Sequence, residues 1–172
     1  MTENTRRAAI LLLCAAMLFL AAGCGQKISE PVFIQWQLGT SEYQLSLPED
    51  YLEDELSTED KENFLTGYYY KEGVLDIACY EYDSEGLDLE TYVKKDMEWY
   101  LGKDYRPGTI NGIDVAFYDY EDEDGTPMTV LSFMNGTDKV DQLIFWQTGE
   151  GALEAMTAIT DTLSEVQAAE AE

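Results

Sequence analysis

The side chains in this sequence that could do chemistry are its carboxylates, its aromatic rings and its three cysteines. Asp and Glu together number 35, Lys and Arg number 10, and the chain has no His. Without His, the Ser-His-Asp triad and the usual His-containing zinc sites are excluded. Neither G-x-S-x-G, H-E-x-x-H nor a Gly-rich phosphate-binding motif occurs. Carboxylate chemistry and binding by aromatic rings therefore stay open, and no cofactor is expected.

The densest run of carboxylates stands just before Gly125. Hard cations such as Ca²⁺ bind carboxylate oxygens, so this run supplies candidate metal ligands. They are Asp119, Glu121, Asp122 and Asp124. The segment does not match an EF-hand loop, because Tyr120 stands where the first Asp should be. The competing interpretation is a hairpin tip, since Asp-Gly favours a type I′ turn and exposed acids are simply solvated.

The abundance of acids also leaves two alternative functions open. A pair of carboxylates can hydrolyse glycosides, so a small carboxylate-based hydrolase is one of them. A calcium-dependent structural protein of the cell surface is the other. Short hairpin loops offer little cleft for a polysaccharide, and we therefore expect the protein not to be an enzyme.

A run of three tyrosines gives the candidate ligand surface: Tyr68, Tyr69 and Tyr70. Because side chains alternate along a strand, Tyr68 and Tyr70 should lie on one face and Tyr69 on the other. One of these faces must pack on a helix and belong to the core. Aromatic residues left on the open face would form a platform for a sugar or a peptide.

The net charge further restricts the classes of partner that this protein can bind. The net charge of −25 excludes nucleic acid, which needs a basic surface. It also opposes a domain lying flat on anionic lipid.

Cys79 follows Leu75 and Ile77 at alternate positions, so it is expected to be a small buried side chain of a strand.

The N-terminal region predicts export. Two arginines precede an apolar stretch, residues 8–22, which is the signature of a secretory signal peptide. The stretch is shorter than the roughly 20 residues of a spanning helix. It ends in Leu20-Ala-Ala-Gly-Cys24, which resembles the lipobox of bacterial lipoproteins. The resemblance implies cleavage after residue 23 and a lipid, palmitate among its acyl chains, on Cys24; ordinary secretion with a free Cys24 thiol is the alternative.

These features divide the chain into four parts. Residues 1–23 form the signal peptide, 24–31 the lipidated Cys24 and a short tether, 32–166 a single α+β domain, and 167–172 a frayed tail. The lipid anchor makes the bilayer a partner of the protein. The expected location is therefore the extracytoplasmic face of the cell membrane.

Alternating apolar residues and Gly-containing turns predict the elements that position the tyrosines and acids. The expected strands are 32–38, 43–47, 65–71, 74–82, 113–121, 128–134 and 140–147. Asp88 is expected to cap a helix over 89–101, and a second helix is expected over 152–166. We expect an antiparallel sheet of about six strands covered by two main helices.

This order of elements resembles the PsbP-like fold family, and the resemblance extends over residues 43–166. It rests on Tyr43-Gln-Leu-Ser-Leu-Pro48, the strand pair before the Leu89 helix, Ile110-Asn-Gly-Ile113 and Leu143-Ile-Phe-Trp146. The resemblance implies an α/β/α sandwich and a binding or accessory module without a common catalytic site. It carries over no functional residue. The ligand that it implies is an unidentified protein, peptide or glycan.

Overall fold

The structure, a computed structural model, describes residues 32–166. Its helices and strands are, in chain order, β1 (Phe33–Gln37), β2 (Tyr43–Pro48), β3 (Leu52–Glu53), α1 (Thr58–Glu62), β4 (Leu65–Lys71), β5 (Leu75–Asp83), α2 (Leu89–Trp99), β6 (Lys103–Ile110), β7 (Ile113–Glu121), β8 (Pro127–Asn135), β9 (Lys139–Gln147), α3 (Ala152–Thr160) and β10 (Ser164–Glu165). The predicted signal peptide, the Cys24 anchor with its tether, and the frayed tail lie outside the described residues.

Seven strands form an antiparallel sheet in the order β3-β4-β5-β9-β8-β7-β6. Hairpins join β4 to β5, β7 to β8 and β8 to β9, at the Gly-containing turns that the sequence predicts. A separate small sheet has the order β1-β2-β10. The α+β class is therefore confirmed, with seven strands in the main sheet where about six were expected.

Alternation along the strands separates two faces of the main sheet. The inner face packs on the small sheet and α3, and the outer face carries α2. Odd-numbered residues of β5, β8 and β9 point inward and are almost fully buried: Leu75, Ile77, Cys79, Leu131, Phe133, Leu143 and Phe145. This layer is the main core of the domain, and the prediction that Cys79 is a buried strand residue is confirmed.

Gly67 allows the small sheet to approach the main one. A Cβ atom at this position would lie 2.6 Å from the indole ring of Trp36. That ring instead packs against Tyr69, with 4.7 Å between ring centroids. A side chain at position 67 would therefore push β1 away from β4.

Two predictions of secondary structure are wrong. The segment around Pro107 was expected to be a connection, but it is β6, an edge strand paired with β7. An edge tolerates Pro because one side of the strand needs no hydrogen-bond donor. The helix expected over 152–166 ends at Thr160, since the Thr162 hydroxyl accepts a hydrogen bond from the Ser46 amide (2.8 Å) and the chain then pairs with β2 as β10.

The first two expected strands also belong to the small sheet rather than to the main one. At the end of α2, Leu101 adopts the left-handed backbone, with φ of 54°. Gly102 follows it and lies close to the sheet, because a Cβ there would lie 2.6 Å from the Tyr118 ring.

Candidate functional site

Helix α2 covers only part of the outer face. It makes its main contacts with β6, β7 and β8. Its buried residue Val93 packs in a small cluster with Ala116, Tyr118 and Val130. The Asp88 carboxylate starts the helix by accepting a hydrogen bond from the Thr91 amide (2.8 Å), as the sequence predicts. Gln142 and Ile144 of β9 contact the helix or its cluster, whereas the aromatic outer side chains of β4, β5 and β9 lie beside the helix.

Those side chains form an aromatic surface, which we call the aromatic floor: Tyr68, Tyr70, Tyr80, Tyr82 and Trp146. All five are half-buried. The ring of Tyr68 lies 6.3 Å from that of Tyr70 and 6.4 Å from that of Trp146, measured between centroids. Tyr80 and Tyr82 are stacked, with centroids 5.7 Å apart. The floor is a connected surface because register places these residues side by side on three neighbouring strands.

The three sequential tyrosines do not share one surface. Tyr68 and Tyr70 lie on the outer face and Tyr69 on the inner face, as alternation predicts. Tyr69 is buried, with 6% of its surface exposed, and packs against Trp36. Tyr69 therefore lies outside the aromatic floor. Tyr80, Tyr82 and Trp146 lie on the floor, and only strand register could have identified them.

The phenols of Tyr68 and Tyr82 stay protonated at neutral pH. The Tyr68 hydroxyl donates a hydrogen bond to Asp76 Oδ2 (3.0 Å). Burial, followed by this hydrogen bond and the Asp76 charge, raises the pKa of Tyr68. Burial likewise raises the pKa of Tyr82. The floor therefore offers neutral rings with polar tips, which suit binding and not nucleophilic attack.

A small cavity of about 350 Å³ lies where the floor meets α2. We call it the aromatic pocket, after the four rings that line it: Phe64, Tyr82, Tyr92 and Trp99. Tyr92 and Trp99 project from the same side of α2, because residues seven apart occupy one helix face. Phe64 follows α1, whose capping box joins Ser57 and Asp60. Phe64 and Trp99 were not predicted as site residues, since their residue types do not distinguish an exposed ring from a core ring.

Asp119, the first candidate metal ligand, is already engaged. Arg106 donates to it through Nη1 (2.5 Å) and Nη2 (2.9 Å), and the Thr129 hydroxyl donates to Oδ1 (2.8 Å). Burial raises the pKa of Asp119, but the hydrogen bonds from Arg106 and Thr129 outweigh this effect and lower it. A carboxylate held ionised in this way is a poor general acid.

The other candidate ligands do not join Asp119. Asp122 and Asp124 accept hydrogen bonds from backbone amides of Glu123 (2.7 Å) and Thr126 (2.9 Å) at the tip of the β7–β8 hairpin. Within residues 32–166, no three acidic or thiol side chains converge on one point. Asp122 and Asp124, with Glu121 exposed beside them, form a solvated hairpin tip, whereas Asp119 belongs to the ion pair with Arg106.

A cleft of about 940 Å³ borders the same ion pair. Its polar wall is a chain of hydrogen bonds that crosses four strands, from Arg106 through Asp119 and Thr129 to Gln147. Apolar side chains of Phe117 and of α3 complete the wall. The polar groups of this chain satisfy one another, so none of these four side chains is an activated acid or base.

Two buried groups on the inner face also lack catalytic features. Burial raises the pKa of the Cys79 thiol, which keeps it protonated and unreactive. Asp141 is fully buried, and no donor meets hydrogen-bond geometry with either of its carboxylate oxygens. Burial raises the pKa of Asp141 to about 7, although the nearby Ser41 and Asn135 side chains oppose the shift. No cavity given above reaches either group.

Known proteins resemble this domain in structure but not in sequence. No family model and no curated protein matches the sequence. Cyanobacterial PsbP (CyanoP) from Synechocystis sp. PCC 6803 matches with a TM-score of 0.55 and 9% identity, over 83% of this chain and 97% of that chain. LpqN of Mycobacterium tuberculosis matches with a TM-score of 0.53 and 13% identity, over 80% and 92%. The domain therefore has a PsbP-like fold, as the sequence resemblance implies.

A crystal structure from Bacteroides thetaiotaomicron matches at 16% identity with a TM-score of 0.47, over 76% of this chain. This chain spans 50% of that protein's length. No helix among residues 32–166 combines the length and apolar character needed to span a membrane.

Proposed function

We propose that this protein is a non-catalytic binding or accessory module of the bacterial cell envelope. A lipid on Cys24 holds it at the extracytoplasmic face of the membrane, and the aromatic floor contacts its ligand. The observation that carries the proposal is the floor itself. Five aromatic side chains are half-exposed on the outer face of the main sheet, whereas the small sheet and α3 cover its inner face.

Several features favour binding over catalysis. The phenols of Tyr68 and Tyr82 are neutral, Asp119 is held by Arg106, and the Cys79 thiol is buried and protonated. The fold neighbours agree with an accessory role, since LpqN is described as involved in cell envelope biogenesis. The sequence features of export point to the same compartment.

The chemistry of the floor indicates the kind of ligand. Aromatic faces pack against sugar rings and against the side chains of extended peptides, and phenol groups add hydrogen bonds at their edges. The acidic surroundings repel nucleic acid. A peptide or a glycan in the envelope is therefore the expected class.

The lipid anchor is tested by labelling with an alkyne fatty acid in a bacterial host that processes lipoproteins. We expect the full chain to carry the label and to sediment with membranes. The Cys24→Ser variant should be unlabelled and should leave the membrane fraction. A labelled Cys24→Ser variant, or an unlabelled wild type, would contradict the anchor.

The binding role is tested with the full chain in neutral detergent micelles on peptide and glycan arrays. We expect retained ligands to lose about two- to tenfold in affinity in Trp146→Ala, because one aromatic contact of this kind is worth roughly 0.5–1.5 kcal/mol. Leu153→Ala is the matched control, since Leu153 is exposed on α3, on the other side of the sheet. Absence of any ligand, or ligands equally sensitive to both variants, would overturn the proposal.

A further inference from the structure

We propose that the aromatic pocket binds the ammonium group of a lysine side chain in a basic peptide partner. This inference rests on the proposed function, because it names the ligand class for the part of the floor next to α2. It is argued from the rings, the carboxylates and the backbone around the pocket.

The four rings present more aromatic surface than packing requires. Trp99 is 82% exposed and Phe64 is 58% exposed, although both are large apolar side chains. Phe64 lies 5.6 Å from Tyr82 between centroids, at an angle of 54°, so the two rings form adjacent walls. A cation within about 6 Å of such rings is attracted by their negative faces, with Trp the strongest partner.

Asp96 places a negative charge at the base of the pocket. Its Oδ2 atom accepts hydrogen bonds from the Tyr118 hydroxyl (2.7 Å) and from Gln142 Nε2 (2.8 Å). Both donors are neutral, so they fix the carboxylate in position without cancelling its charge. None of the hydrogen bonds among residues 32–166 is made to Oδ1, which leaves this atom for a donor from a ligand.

The other charged groups around the pocket keep it negative. Lys95 is the basic residue in the lining, and its ammonium is paired with Glu85 (2.5 Å). Asp83 adds a further carboxylate at the rim. Burial, followed by the charges of Asp96 and Glu85, raises the pKa of Tyr92, which agrees with a negative potential inside the pocket.

Phe64 occupies a backbone conformation that usually belongs to glycine. Its φ is +68°, directly after the C-cap of α1. A bulky side chain in this region is strained, and such strain persists where it positions a functional group. Here the strained position directs an exposed ring to the mouth of the pocket.

These features favour lysine in a peptide over an apolar side chain or a quaternary ammonium. An apolar side chain would gain nothing from the carboxylate of Asp96, and a quaternary ammonium has no N–H to donate to Oδ1. Tyr82 belongs to both the pocket and the floor, so an extended peptide lying on the floor can place one side chain in the pocket. The net charge of −25 attracts a basic segment over a longer range.

The test is calorimetric titration of the full chain, in neutral maltoside micelles at low salt, with three pentapeptides. Each has the form acetyl-Gly-Gly-X-Gly-Gly-amide, with X as lysine, norleucine or trimethyllysine. We expect the lysine peptide to bind and both others to bind at least about tenfold more weakly. Equal binding of lysine and norleucine, or tighter binding of trimethyllysine, would overturn the inference.

Variants then locate the cation. Trp99→Leu keeps an apolar side chain but removes the ring, and Asp96→Asn keeps the shape but removes the charge; each should weaken the lysine peptide about tenfold. Leu101→Ala is the matched control, because Leu101 is 83% exposed two residues further along and does not line the pocket. Should Asp96→Asn disturb the packing of α2, the exposed Trp99 still gives the decisive result. Loss of lysine binding in Leu101→Ala as well would contradict this location.

The outcomes separate the two proposals. Peptides that bind regardless of X, and that lose affinity in Trp146→Ala, would remove the lysine inference but support the floor as a binding surface. No binding by any of the three peptides would overturn the lysine inference, whereas the array experiment would still decide the proposed function.

Discussion

The two faces of the main sheet are built from alternate residues of the same strands, yet they end in different environments. Phe145 and Trp146 are neighbours in β9. Phe145 is fully buried on the inner face, whereas Trp146 is half-exposed in the aromatic floor. The difference arises because the small sheet and α3 cover the inner face, while α2 covers only part of the outer one. One strand thus contributes one residue to the core and the next to a half-exposed surface.

The largest expected effect contrasts these two neighbours. Phe145→Ala leaves a cavity in the main core and should reduce the free energy of unfolding by about 3–5 kcal/mol. Trp146→Ala removes a ring that still contacts water and should cost roughly 1 kcal/mol. Urea unfolding of both variants measures the contrast. Equal losses would show that the outer face is as much a part of the core as the inner one.

The inner face was largely predictable from the sequence, and the reason is physical. Alternating apolar residues in β5 and β9 report burial on one side, and Gly73, Gly125 and Gly136 have the positive φ that their hairpin turns need. These signals are local, so they can be read without the fold. The edge strand β6 was missed because Pro107 and Gly108 interrupt the same kind of signal.

The candidate site was less predictable. Tyr68 and Tyr70 were assigned to one face by alternation, but their neighbours in the floor depend on register between β4, β5 and β9. The aromatic pocket needs in addition the position of α2 relative to the sheet and the unusual backbone of Phe64. These relations involve residues far apart in the chain, so neither the composition nor the local pattern of the sequence shows them.

Asp141 breaks the apolar pattern of the inner face and provides the second prediction. Its folded-state pKa, about 7, lies above the ordinary value of 3.8. The fold therefore favours the protonated form. The contribution of protonated Asp141 to the free energy of unfolding is fully present below about pH 4. It is lost as the pH rises towards 7.

Asp141→Asn should therefore stabilise the domain at pH 8, on the order of 2 kcal/mol, and should remove this part of the pH dependence between pH 4 and 7. Thermal unfolding across that range measures both effects. Asp54→Asn is the control, because Asp54 is exposed and the exchange should change little. A destabilised Asp141→Asn variant at pH 8 would mean that the charged carboxylate has a stabilising partner.

The third prediction concerns the strained ring of the outer face. A non-glycine residue in the left-handed region costs roughly 1–2 kcal/mol, and glycine avoids this cost. Phe64→Gly should therefore be about 1 kcal/mol more stable than Phe64→Ala, once the greater flexibility of unfolded glycine is included. Chemical denaturation compares them. If the alanine variant is equally stable, the backbone of Phe64 is not strained, and its position needs no functional explanation.

The smallest effect on stability is expected at the β6 edge of the main sheet, where the Arg106–Asp119 ion pair lies. Both side chains are more than one third exposed, so Arg106→Met should change the free energy of unfolding by less than about 1 kcal/mol, and high salt should reduce the difference. Arg106 also donates a hydrogen bond to the Asp104 carbonyl (3.1 Å), within the irregular part of β6.

The main consequence of Arg106→Met should therefore be local. Amide hydrogen exchange of residues 103–106 should accelerate while β5 and β9 stay protected. Lys95→Met, which removes the exposed ion pair between α2 and Glu85, is the control and should leave β6 unchanged. Faster exchange throughout the main sheet would instead indicate that the Arg106–Asp119 ion pair stabilises the inner face. The contrast between a stable inner face and a weakly stabilising β6 edge would then be wrong.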